Sequence, residues 1–153
     1  MKKMKIVLLA ALVVMAFASC DKDEDQKEDV VEVVSETYVG KLSVDQNDGT
    51  FFTMDSVSVD VNPADGDSTV VMIMHGVTFS ARMPVALDMT VNGIAYTSTT
   101  TNVSLSGNNI VPIAMGGEFP AYTITNYVGT ITNGTLSFSM VCGKYPLTFT
   151  GSK

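Results

Sequence analysis

From Thr37 to the end of the chain, apolar and polar side chains alternate with a period of two, which restricts the fold more than any motif does. Tyr38, Gly40, Leu42 and Val44 fall on one face and Thr37, Lys41, Ser43 and Asp45 on the other, with Val39 alone out of phase. The pattern returns in Val57, Val59 and Val61, in Val85, Leu87, Met89 and Val91, in Leu136, Phe138, Met140 and Cys142, and in Tyr145, Leu147 and Phe149. No helical stripe interrupts it, so an all-β domain is predicted over residues 37–153.

Turn signals divide the alternating runs. Asn47-Asp48-Gly49, Asp65-Gly66, Asn92-Gly93, Gly107-Asn108-Asn109, Asn133-Gly134 and Gly143-Lys144 recur at short intervals. Asn-Gly and Asp-Gly pairs supply the positive φ values of two-residue hairpins, so neighbouring strands are expected to be antiparallel and adjacent. Roughly eight to ten short strands suit a sandwich or a closed up-and-down barrel. In "STVVMIMHGVTF" both faces are apolar, with Val70, Met72 and Met74 on one side and Val71 and Ile73 on the other. An antiparallel barrel of about eight strands takes one such face inside, where there is room for side chains or one small ligand. The other face would then need a cover or a partner.

The N-terminus follows different rules. Lys2, Lys3 and Lys5 precede an unbroken apolar run from Ile6 to Phe17. A run of that length is too short for a bilayer core, which takes about 20 residues, but fits the h-region of a secretory signal. Residues 1–19 are therefore read as a signal peptide. "FASC" resembles the lipobox of bacterial lipoproteins, in which a small residue precedes a cysteine that receives diacylglycerol and becomes the new N-terminus. This resemblance makes Cys20 the lipid attachment site and the membrane the chain's first partner. Two or three acyl chains, at about 0.8 kcal/mol per buried CH₂, hold a protein to a bilayer far more firmly than one myristoyl group.

Residues 20–36, beginning "CDKDEDQKED", are too charged and too poor in aromatics to bury a core, and are expected to act as a flexible tether. Asp21, Lys22, Asp23 and Glu24 include a lysine followed by two acids, similar to the export signal that places some lipoproteins on the cell-surface side of the outer membrane. Display on the periplasmic face is the alternative. Removal of residues 1–19 takes three of the nine basic residues and none of the sixteen acidic ones, leaving a formal charge of −10. Such a chain repels phosphate backbones, and no nucleic acid partner is expected.

The segments "YVGKLSV", "YVGTITNGTLSFSM" and "LTFTGSK" resemble the calycin-like domain of bacterial lipoproteins, a relative of the lipocalins. The resemblance covers approximately residues 37–153 and implies an antiparallel up-and-down barrel more than any activity. Where lipocalins carry Gly-x-Trp in the first strand, this chain has Tyr38-Val39-Gly40 and no tryptophan.

Catalytic chemistry has little to work with. His75 is the only histidine, which excludes paired-histidine zinc motifs, and no G-x-S-x-G elbow occurs. The chain is read as a non-enzyme with no cofactor and no metal. The oxygen-rich turns "DQNDG" and "NPADGD" lack the EF-hand order and are accounted for as turns. His75 reads as a strand-end residue or, if functional, as a pH sensor. Arg82, the only arginine, could fork onto a carboxylate or sulfate, or lie in a surface connection before Pro84. Met72 and Met74 could line an adaptable cavity or fill the core. Phe119 and Tyr122, in "GGEFPAY", could meet a ligand at the barrel mouth or cap the barrel end. Cys142, in phase with Phe138 and Met140, reads as packing. Two functions follow as expectations: a barrel that binds a small, mostly apolar ligand in or over its mouth, or a side-chain-filled barrel that docks another polypeptide.

Overall fold

The computed structural model describes residues 30–64 and 68–153. The signal segment, Cys20, the acidic run Asp21, Lys22, Asp23 and Glu24, and the Asp65-Gly66 turn lie outside the described residues. Ten strands follow in order: β1 (Glu36–Asp45), β2 (Phe51–Pro63), β3 (Thr69–Val77), β4 (Leu87–Ser98), β5 (Asn102–Gly107), β6 (Ile113–Ala114), β7 (Gly117–Glu118), β8 (Ile124–Thr132), β9 (Thr135–Cys142) and β10 (Tyr145–Ser152). One 3₁₀ turn, Pro120–Tyr122, precedes β8.

Eight of these strands close into a ring in the order β3-β2-β1-β10-β9-β8-β5-β4, with β4 returning to β3, and every pairing is antiparallel. The domain is an all-β, up-and-down barrel of eight strands. The short β5 covers only the C-terminal half of β4, from Ala95 to Ser98. Beside the other half, β6 pairs Ala114 with Met89 and Ile113 with Thr90, and a bridge between Ile110 and Ile124 joins this segment to β8. The hairpin β6–β7 therefore completes the wall that β5 leaves short.

The alternation survives because bulges reset it. Val91 and Ile94 are both buried although three residues apart. Between them Asn92 and Gly93 (φ 77°) insert an extra residue opposite the Val70–Met72 step of β3. Asn92-Gly93 was expected to form a hairpin turn. Instead it is a β-bulge inside a twelve-residue strand, because both flanking segments go on pairing with the same neighbour. Asn126 (φ 54°) does the same between the buried Ile124 and Tyr127. By contrast, Asn133 (φ 52°) and Gly134 (φ 76°) form the expected two-residue hairpin between β8 and β9.

Inward residues fill the barrel, and among the described residues every buried side chain is hydrophobic. Tyr127, Phe138 and Phe149 stack in sequence, with ring centroids 5.1 and 5.3 Å apart. Glycines on the strands beside and beneath these rings make room for them, Gly129 on β8 and Gly151 on β10 itself. A Cβ on Gly129 would lie 2.8 Å from the Phe138 Cβ, and one on Gly151 would lie 2.6 Å from the tip of the Phe149 ring. The Gly-aromatic pattern of the sequence is thus a packing device.

On the outside of β3, Val71 and Ile73 are half-buried, opposite Asn62, Asp60 and Thr90 of the adjoining strands. Part of the segment ahead of β1 lies against the barrel. Val31 donates its backbone N–H to Thr99 at 2.8 Å, and Val31 and Val33 pack against the core. The chain enters the barrel at this end, the near end, where Lys153 also pairs with Glu36 at 2.9 Å. The longer connections 46–50, 78–86 and 108–123, with the Gly143-Lys144 turn, crowd the far end.

Candidate functional site at the far mouth of the barrel

The candidate residues named from sequence separate into three places. Met72 and Met74 point inward and are fully buried. The Tyr127 hydroxyl donates to the Met72 sulfur at 3.4 Å, and the Cys142 thiol lies 4.0 Å from the Met89 sulfur. These contacts cross the interior, so the methionines occupy the space that an enclosed ligand would need. Burial pushes the Cys142 thiol up to about 12 and holds the Tyr127 phenol far above its ordinary value.

His75 is one residue on from Met74 and therefore faces out. Its Nε2 lies 2.8 Å from Asp60 and its Nδ1 3.8 Å from Asp88. Asp60 also accepts from the Thr37 hydroxyl at 2.7 Å, and Asp88 accepts from the backbone N–H of Gly76 at 2.8 Å. The hydrogen bond to Asp60 is the main cause that holds the imidazole above its usual range and the carboxyl below its own. The group is a polar clasp across the outer wall, and the pleat separates it from Met72 and Met74.

Arg82, Phe119 and Tyr122 lie at the far mouth, together with Phe79, Met83 and Tyr145. Phe79, fully buried, plugs the barrel end. Tyr122 packs against it at 5.1 Å, Tyr145 at 6.2 Å, and Phe119 stacks on Tyr122 at 5.3 Å. The Met83 sulfur accepts from the Phe79 N–H at 3.0 Å, tying the 78–86 loop to this floor. Burial raises the Tyr122 phenol above its normal value, ahead of weaker effects from Tyr145 and Cys142. Phe79 lies in the 78–86 loop, where alternation carries no signal, and Tyr145, read only as one of the alternating residues of the last strand, gave no sign that it would meet Tyr122 and Phe79.

The loops around this floor are tied to one another. The Gln46 side-chain amide donates to the Phe79 carbonyl at 2.9 Å, Asn47 to the Lys144 carbonyl at 2.8 Å, and the Gly143 N–H to the Thr123 carbonyl at 3.0 Å. Two open grooves result, and both include Lys144 and Tyr145. One, about 790 Å³, is floored by Phe119, Pro120 and Tyr122. The other, about 540 Å³, has Asn47, Thr50, Ser80 and Arg82 along its sides. Each falls within the usual size range of small-molecule sites, about 300–1,000 Å³. Among the described residues no group of three or more His, Cys, Asp or Glu side chains is placed to hold a metal ion.

Comparison with known protein families, with curated proteins and with solved structures yields no match.

Proposed function

We propose that this protein is a lipid-anchored, non-enzymatic binding module of the bacterial cell envelope, and that its ligand, small and mostly apolar, lies over the far mouth of the barrel. The observation that carries this reading is the aromatic floor of Phe119, Tyr122 and Tyr145, held open by tied loops above an interior already filled by Met72, Met74 and Tyr127. A preformed aromatic surface binds an apolar ligand without first having to order its own side chains. The anchor reading rests on the signal segment and Cys20, and display at the cell surface on Asp21, Lys22, Asp23 and Glu24; the periplasmic face is the alternative. The eight-stranded ring agrees with the calycin-like resemblance.

Fractionation and native mass spectrometry test both parts. Wild-type protein is expected in the membrane fraction with a bound small molecule, and Cys20→Ser in the aqueous fraction. A Phe119→Ala/Tyr122→Ala double variant is expected to fold and lose the bound mass. Wild-type protein that is never acylated and carries nothing overturns both parts.

One observation favours the second reading, a protein-interaction module. Val111, Ile113 and Met115 are exposed around the β6–β7 hairpin, and Met115 holds a positive φ of 53° at its tip. A bulky residue in that conformation is strained where asparagine would serve, and strain of this kind concentrates at working surfaces. Recovery of a stoichiometric polypeptide from intact membranes, lost on Met115→Asn, would give this reading precedence.

A further inference from the structure

Cations are scarce in the folded domain. From residue 30 onward there are four, Lys41, Arg82, Lys144 and Lys153, against ten carboxylates. Lys153 is paired with Glu36 at the near end and Lys41 stands on the outer wall of β1. The other two line the same groove at the far mouth. Among the described residues the ion pairs are made by His75 and Lys153, and neither Arg82 nor Lys144 makes one. Asp48 shares the groove but is turned back onto Thr50, accepting from its N–H at 2.9 Å and its hydroxyl at 2.6 Å. The Lys144 ammonium lies 5.4 Å from the centre of the Tyr145 ring, on the ridge between the polar groove and the aromatic one.

Of the three cations that make no ion pair among the described residues, Lys41, Arg82 and Lys144, two therefore stand beside the aromatic shelf of an otherwise acidic domain. We propose that the far mouth selects amphiphilic anions: ligands with an apolar body that lies on Phe119 and Tyr122 and one oxyanion, carboxylate or sulfate, that meets Lys144 and Arg82. The inference rests on the ligand-binding reading and narrows its chemistry. Arginine offers a planar fork and lysine a point charge, and both are suited to an oxyanion. The surrounding negative charge excludes anions that lack an apolar body to hold them, and the aromatic shelf supplies that hold.

The test uses the full chain with Cys20→Ser, kept free of detergent, titrated with octanoate, octyl sulfate and 1-octanol while backbone amide shifts are followed. Both anions are expected to bind about fivefold more tightly than the alcohol at low salt, the sum of two solvent-exposed charge contacts. That preference should shrink at 0.5 M salt through screening. The tighter of the two anions identifies the headgroup. Shifts should centre on Phe119, Tyr122 and Tyr145, and Arg82→Gln/Lys144→Gln should abolish the preference while keeping octanol binding. Equal binding of all three at the mouth overturns the anion inference and leaves the ligand reading standing. A preference unchanged in the double variant overturns the assignment to Arg82 and Lys144. No shift at the mouth with any probe overturns both readings.

Discussion

Tyr127 donates its hydroxyl hydrogen to the sulfur of Met72, 3.4 Å away, across the inside of the barrel. A phenol with no exposure to water thereby has as its partner a thioether, which is a weak acceptor. The two ends of this bond differ in what their removal leaves behind. Tyr127→Phe removes the donor and leaves a sulfur that tolerates isolation, so its cost is expected to stay below about 1 kcal/mol. Met72→Leu keeps the volume but strands a buried hydroxyl, at about 1–3 kcal/mol. Urea denaturation of both single variants and of the double variant checks this, and the double should resemble Tyr127→Phe.

Gly40 faces Gly151 across the β1–β10 pair, and a Cβ there would stand 2.0 Å from the Thr150 carbonyl oxygen. Backbone cannot swing aside as a side chain does. Gly40→Ala is expected to destabilise by about 3 kcal/mol, the upper part of the range for overpacking. Gly49→Ala, whose Cβ would meet nothing within 4 Å, pays only for its positive φ and should cost about 1 kcal/mol. Thermal melts of the two variants give the comparison.

The clasp of Asp60 and His75 predicts how stability depends on pH. His75 titrates higher folded than unfolded, so its contribution is full below the unfolded value near pH 6.5 and is lost as pH rises through the raised folded value. Asp60 titrates lower when folded, so its contribution is present above about pH 4 and is lost as pH falls through the depressed value. Both operate together between about pH 4 and 6.5, where the clasp should stabilise most. With His75 40% and Asp60 28% exposed, solvent screens the effect. His75→Gln should flatten the decline in Tm above pH 6.5; an unchanged slope would assign that decline to other groups.

Cys142 is fully buried, and burial alone raises its thiol to about 12. At pH 8 roughly one molecule in ten thousand would carry the reactive thiolate. Iodoacetamide should label Cys142 at least a hundredfold more slowly in native protein than in 6 M guanidinium. Rapid native labelling would show that the end of β9 opens readily.

Much of this architecture could be read from the order of residues. Tyr38, Leu42, Val44, Leu136, Phe138, Met140, Leu147 and Phe149 lie inside, as their spacing predicts, because strand pleating obliges alternate side chains to share a face. Asn133-Gly134 turns where it should because its φ values are set locally. The same dipeptide at 92–93 does not turn. Whether Asn-Gly makes a hairpin or a bulge depends on which strand continues beside it, and that is settled by pairing with β3.

For the mouth the balance is different. The presence of one arginine and one histidine is a fact of composition, and so is the apolar reach of Phe119 and Tyr122. That the outward-facing His75 meets both Asp60 and Asp88 while Arg82 shares a groove with Lys144, 62 positions away, follows from strand pairing and ring closure. Local rules specify a residue's face, since neighbours along the chain determine it. Which residues meet at a barrel end depends on strand order and on the loops that end gathers, and only tertiary structure decides both.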